Sequence, residues 1–197
     1  IVDINRLQSF IGAINFVDSR NWHMAKMPFS ISASELIARE YIKYLNAISG
    51  RNKKCLVLDC DNTLWGGIVG EDGFNGIKIG KTYPGSAFFE LQLAVLNLYN
   101  RGVLLAVCSK NNEADVLDVF EKHPEMLLRK EHFAIMKINW NNKTDNLIEI
   151  SKELNISLEH IVLLDDSKFE IEMVRNILPE VSAVHLLGDP SDYSMIL

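Results

Sequence analysis

The sequence predicts an α/β protein built on a parallel sheet with helices on both faces. Three observations lead there. From Lys54 onward, short apolar runs alternate with amphipathic stretches of helical length, as βαβ units require. One apolar run, "CLVL", ends in two aspartates one residue apart, Asp59 and Asp61. Polar and charged residues then recur just past the later apolar runs. In open parallel sheets that edge is where ligands bind.

The elements follow in order. Strands are predicted over residues 55–58, 103–108, 133–138, 161–164 and 183–187. Helices are predicted over 86–100, 113–122, 144–154 and 169–178. "NRG" stops the first of these with Gly102, and "LNIS" stops the third with Asn155, residues that accept a left-handed backbone at a helix end. The glycine-rich segment 65–80, "WGGIVGEDGFNGIKIG", breaks the alternation and predicts a β-hairpin flap after the first strand. The flap and one helix use most of the chain between Asp61 and Ser109. A helix and a strand nearly fill the chain from Ser109 to Lys143. Neither interval leaves room for a large cap domain.

Residues 1–50 form a helical N-terminal segment with helices predicted over 4–17 and 34–49, the second opening on "SASE", a start resembling a capping box. Gly50 and the basic cluster Arg51, Lys53 and Lys54 mark the boundary with a second region, 51–197.

Composition narrows the function. With 48% hydrophobic and 23% charged residues, the 197-residue chain has the balance of a globular protein. A net charge of -6 gives a nucleic-acid partner no electrostatic support. No apolar run is long enough for a membrane span, and no signal peptide is visible. The first residue is Ile rather than Met, as in a segment of a longer chain. Cys55, Cys60 and Cys108 form neither a CxxC nor a Cys/His cluster. They are expected as buried thiols in a reducing cytoplasm.

Two carboxylates at Asp59 and Asp61 repel unless a cation or a shared proton relieves them. The second strand delivers Ser109 and Lys110, the third is followed by Lys143 in "NWNNK", and the fourth by Asp165 and Asp166. This set suits phosphoryl transfer through an aspartyl phosphate: one carboxylate attacks phosphorus, and one two residues on protonates the leaving oxygen. Asp166, with Asp59 and the carbonyl of Asp61, supplies the oxygen ligands that Mg²⁺ prefers. Ser109 and Lys143 would neutralise charge on the transferring group. Taken singly, each signal has a bland explanation. A lone "DD" is commonly a turn, and an isolated Ser or Lys after a strand usually means nothing. Their occurrence in order at successive strand ends is what argues for a site. Strand alternation turns Cys60 away from Asp59 and Asp61. Trp65 and Trp140 stand near the site in sequence, where pocket wall and core are equal options. The histidines His23, His132, His160 and His185 are taken as surface or boundary residues.

The stretches "LDCDNTLWGGIVGEDG", "LLAVCSKNNEADV", "FEKHPEM", "INWNNKTDNL", "LLDDSKFEIEMVR" and "LPEV" resemble the haloacid dehalogenase (HAD) superfamily, specifically its FkbH-like branch, over roughly residues 52–193. The resemblance implies a Rossmann-like domain and a phosphatase or phosphotransferase dependent on Mg²⁺. It implies Asp59 as nucleophile, Asp61 as general acid and base, Ser109, Lys110 and Lys143 at the phosphoryl group, and Asp166 supported by Asp165 at the metal. It also implies a phosphorylated small-molecule substrate. Well-known members of that branch make glyceryl thioesters on acyl carrier proteins for polyketide extender units. Others sit in surface-polysaccharide gene contexts. An acyl carrier protein and further domains of a longer chain are therefore expected partners, with no nucleic acid and no membrane. Many members have Pro before the Lys of "NWNNK"; this chain does not. Residues 1–50 would be the tail of a preceding domain. Two other readings compete: a receiver-like phospho-aspartate switch, in which the phosphorylated Asp follows a later strand, and a catalytically silent binding module.

Overall fold

A computed structural model describes residues 2–50 and 52–196. The chain divides into two compact units, Ile1–Asn52 and Lys53–Leu197. Of the basic cluster at the junction, Arg51 lies outside the described residues. Lys53 Nζ donates to the Glu159 carbonyl at 2.6 Å.

The first unit is helical. Helices α1 (Ile4–Ile11), α2 (Ala13–Phe16), α3 (Ser19–Ala25) and α4 (Ile31–Ile48) surround a small core of Leu7, Phe16 and Ala33. The continuous helix expected over 4–17 is split, because Gly12 takes φ +79° and its N–H closes α1 on the Gln8 carbonyl. Asp18 then caps α3, its carboxylate accepting from Arg20 N and Asn21 N. Helix α4 starts three residues before the expected 34. The Ser30 hydroxyl accepts from Ala33 N at 3.1 Å and caps it there, so "SASE" lies inside the helix.

The second unit is a five-stranded sheet, all parallel, in the order β3-β2-β1-β4-β5. The strands are β1 (Cys55–Leu58), β2 (Leu104–Ser109), β3 (Phe133–Ile138), β4 (Ile161–Asp165) and β5 (Ser182–His185). Helix α5 (Val69–Asp72) is a single turn; α6 (Gly85–Asn100), α7 (Glu113–Lys122), α8 (Lys143–Leu154) and α9 (Lys168–Ile177) are the crossovers. No inserted domain interrupts them. Helix α6 ends with Gly102 at φ +90°, and α8 ends with Asn155 at φ +53°.

Alternation along β1 sorts the two cores. Leu56, Leu58 and Cys60 pack with Phe88, Leu91 and Val95 of α6 and Val116, Val119 and Phe120 of α7. Cys55 and Val57 pack on the opposite face with Leu147 and Ile150 of α8 and Ile171 and Val174 of α9. Both faces of β1 are closed to water, which is why its sequence is uniformly apolar up to Asp59.

The segment expected as a β-hairpin is a loop instead. It is closed by one antiparallel bridge, with Gly66 N–H bonded to the Lys78 carbonyl at 2.9 Å and Lys78 N–H to the Gly66 carbonyl at 2.7 Å. A ladder cannot continue inward. Gly67 takes φ +94°, and the Asp72 carboxylate captures the Ile68 N–H at 2.8 Å to start the α5 turn. The apolar residues Val69 and Ile77 drop into the core rather than alternating across a ribbon.

Gln92 is a buried polar clasp on α6. Its amide nitrogen donates to the Leu64 carbonyl at 2.8 Å, and its amide oxygen accepts from Leu127 N and Leu128 N, each at 3.0 Å. Gln92→Leu keeps the volume but strands three backbone groups. The expected loss is about 2–5 kcal/mol, read by urea denaturation; a change under about 1 kcal/mol would contradict the clasp.

Candidate active site

The carboxyl ends of β1, β2 and β4 and the start of α8 converge on one cavity of about 380 Å³, lined by Asp59, Asp61, Ser109, Lys143, Asp165 and Asp166. Its centre is a buried ion cluster. Lys143 Nζ donates to Asp59 Oδ1 at 2.6 Å and to Asp165 Oδ2 at 2.6 Å. The side chains of Lys143, Asp59 and Asp165 are 3%, 8% and 0% exposed. Burial alone would pull the ammonium down, but Asp59 and Asp165 raise it above its ordinary range. Asp165 is pushed up to about 6 by burial, with repulsion from Asp59 adding to it. Its other oxygen accepts from Ser167 N at 2.9 Å.

Asp59, Asp165 and Asp166 each offer an oxygen within 4.8 Å of the others. One ammonium cannot balance three carboxylates, and burial with repulsion from Asp59 raises the Asp166 carboxyl above its usual value. This all-oxygen donor set fits a hard divalent cation such as Mg²⁺. His185, expected as a boundary residue, lies behind it with Nε2 2.8 Å from the Asp166 carbonyl oxygen, donating to it.

The Asp61 carboxylate stands outside that group of three. Trp65 Nε1 and Val69 N donate to its Oδ1 at 2.9 and 3.0 Å, and Asn111 Nδ2 donates to its Oδ2 at 2.7 Å. Burial raises its pKa, and the Val69 and Trp65 N–H groups oppose the rise. The sequence pattern missed these partners. Asn111 stood in plain view two residues after Ser109, but nothing local said which way it would turn.

The remaining candidates separate. Ser109 is buried at the cavity, and the Cys60 side chain hydrogen-bonds to it. Cys60 itself is fully enclosed, and burial pushes its thiol well above the ordinary range. Lys110 lines the cavity in a 2.7 Å ion pair with Glu170, a residue the sequence reading did not single out. Trp65 is core, edge-on to Phe120 at 5.9 Å, and Trp140 is 74% exposed at the cavity wall. Asn62, at φ +51°, accepts from Gly67 N at 2.9 Å and fixes the turn between the two aspartates and the loop.

No protein-family model and no curated protein matches the chain. Solved structures do. The N-terminal part of the protein BF1531 from Bacteroides fragilis, which contains a phosphatase domain and is complexed with Mg, is 42% identical with a TM-score of 0.86. The match covers 95% of this chain and 50% of that one, so this chain spans half the length of that relative. A HAD family enzyme, bt-2542 from Bacteroides thetaiotaomicron, complexed with magnesium and inorganic phosphate, is 12% identical with a TM-score of 0.53, over 73% of this chain and 98% of that chain. It shows the fold alone. A 3-deoxy-D-manno-octulosonate 8-phosphate phosphatase from Moraxella catarrhalis, holding magnesium, phosphate and KDO, is a looser match at 19% identity and TM-score 0.44, over 74% and 77% of the two chains. The structures similar to this chain thus include one with a phosphatase domain and a HAD family enzyme, and the chain has a Rossmann-like α/β fold.

The Asp61 environment is testable without turnover. Trp65→Phe removes one N–H donor that favours the ionised carboxylate, so Asp61 should titrate at higher pH than in the parent protein. Carboxyl-carbon NMR follows the midpoint. An unchanged or lower midpoint would show that Trp65 does not hold the charge.

Proposed function

We propose that the chain is an Mg²⁺-dependent phosphatase or phosphotransferase of HAD type, working through an aspartyl phosphate on Asp59. The observation that carries this is the Lys143-anchored cluster of Asp59, Asp165 and Asp166 at the carboxyl edge of a parallel sheet. The 42%-identical BF1531 structure, with its phosphatase domain and Mg, supports it.

Asp59, Asp166 and the Asp61 carbonyl would hold Mg²⁺, with Asp165 fixing Lys143 beside them. Bound there, Mg²⁺ would supply positive charge that offsets the negative charge of the transferring phosphoryl group. Lys143 holds Asp59 Oδ1, leaving Oδ2 to attack phosphorus. As the Asp59–phosphorus bond forms and the ester bond breaks, Asp61 gives its proton to the leaving oxygen. The Asp61 oxygen with a single N–H donor, Oδ2, is the one free to carry that proton. Ser109 and Lys143 bear on the phosphoryl oxygens. Water then attacks phosphorus, gives its proton to Asp61 and releases phosphate, restoring the Asp59 carboxylate. Replacing water by a thiol or hydroxyl makes the same site a transferase.

The finer reading is glyceryl or acyl transfer to an acyl carrier protein in polyketide or surface-polysaccharide biosynthesis. Its support is the FkbH-like motif set in the sequence, together with a cavity that no inserted domain covers. Residues 1–50 are read as the tail of a preceding domain, and Lys53 and Lys54 offer local positive charge to an acidic carrier. The receiver-like alternative gains nothing from the topology, since Asp59 follows the first strand.

Asp59→Asn should abolish Mg²⁺-dependent turnover of p-nitrophenyl phosphate, and Asp61→Asn should slow it by ~10²–10⁴. Phosphoenzyme trapped on any residue but Asp59 would overturn the assignment. Independently of turnover, Mg²⁺ at about 100 times its Kd should stabilise the chain by about 2.7 kcal/mol. Asp166→Asn should remove most of that shift in thermal melting.

A further inference from the structure

The cavity is larger than a phosphoryl group and a metal ion require, and its remaining wall is specific. At about 380 Å³ it falls in the range of small-ligand pockets. On one side stands the Lys110–Glu170 pair, with Lys110 Nζ 2.7 Å from Glu170 Oε1. Glu170 is only 7% exposed, and its second oxygen, Oε2, is enclosed without a hydrogen-bond partner among the described residues. A carboxylate in the first turn of a helix ordinarily faces water. This one is turned to the cavity wall with an acceptor unused, which costs stability unless a donor meets it. Trp140, 74% exposed, and Ile68, 38% exposed, also line the cavity.

We propose that Lys110 and Glu170 form a leaving-group subsite that reads adjacent hydroxyl groups on a compact polyol or sugar phosphate, with Trp140 packing on its carbon skeleton. The inference rests on the phosphoryl-transfer reading above. A small turn about the last bond of the Glu170 side chain presents Oε2 to the cavity while Oε1 keeps Lys110. One hydroxyl donates to Oε2, and its neighbour accepts from a remaining Lys110 N–H. An aryl leaving group has no donor to offer and leaves Glu170 unsatisfied. A leaving group with its own carboxylate or second phosphate meets Glu170 and Glu71 on a wall already rich in aspartates. Neutral hydroxyls fit that wall.

The test compares kcat/KM, with Mg²⁺, for glycerol 3-phosphate, erythritol 4-phosphate, glucose 6-phosphate and phenyl phosphate. The parent protein, Glu170→Gln and Lys110→Gln are assayed, with thermal melting as a check on folding. The best hydroxylated ester should exceed phenyl phosphate by about tenfold or more in the parent. Each variant should cut that ratio by about fivefold or more, mainly through KM. Gln at 170 still accepts from Lys110 but places an N–H donor where the hydroxyl needs an acceptor. If Glu170→Gln fails to fold, Lys110→Gln decides alone, since its side chain is 29% exposed. Parent turnover of phenyl phosphate with no preference for hydroxylated esters, or variant ratios within about twofold of the parent, overturns the subsite while leaving the phosphatase reading intact. No turnover of any ester, phenyl phosphate included, overturns the phosphatase reading and this inference with it.

Discussion

The second unit is organised around one ammonium. Lys143 sits between Asp59 and Asp165, 2.6 Å from each, with all three side chains nearly closed to water. Moving such charges out of water costs several kcal/mol per ion, and only close pairing with further hydrogen bonds offsets it. Ser167 N completes Asp165 and the strand ends hold the rest in place. The arrangement is over-determined from three directions: β1 brings Asp59, β4 brings Asp165, and the first residue of α8 brings Lys143. It is also incomplete in charge. With Asp166 alongside, the carboxylates outnumber the ammonium, and the residual negative charge is what a divalent cation would neutralise. Structural pairing and metal demand are consequences of the same burial.

A second layer of restraint acts on Asp61, and it runs through the loop after β1. Two of its three N–H donors, Trp65 and Val69, belong to that loop. Trp65 is locked in the core against Phe120, and Val69 is buried at the start of the α5 turn. Asp61 is therefore oriented only when the loop is folded onto the core. Asn111, from the end of β2, supplies the third donor and ties the same carboxylate to the neighbouring strand.

These two layers explain what was legible in the sequence. Burial on both faces forces a uniform apolar run at β1 and locates it to the residue, while the edge strand β3, only partly buried, is still marked to the residue by its apolar run. The charged cluster was legible as a set because parallel strands put their ends at one edge. Partners fixed only by three-dimensional packing were not. Trp65, Asn111 and Glu170 are ordinary residues in linear order, and their role appears only when loop, strand and helix meet. The loop was misread for a related reason. Alternating Ile and Val among glycines satisfies a period-2 pattern, but Asp72 capturing the Ile68 N–H and the left-handed Gly67 convert it to a helical turn. In the first unit, Gly12 and Ser30 moved helix boundaries by backbone geometry and capping, which hydrophobic periodicity does not encode.

The shape of the loop also bears on how water is managed. A hairpin flap could swing as a stiff ribbon over the cavity. The loop observed is pinned at its base by the Gly66–Lys78 bridge and through Val69 and Ile77 in the core, and the α5 turn that carries Ile68 and Glu71 to the cavity is itself hydrogen-bonded to Asp72. A short, anchored lip excludes water poorly on its own. What it can do is keep Asp61 oriented at all times, whether or not substrate is present. Asp61 is thus oriented in advance by the loop, and Trp140 stands exposed at the cavity wall. On the proposed phosphoryl-transfer reading, a leaving group that fills the cavity would itself displace water, which would place selectivity on the wall residues.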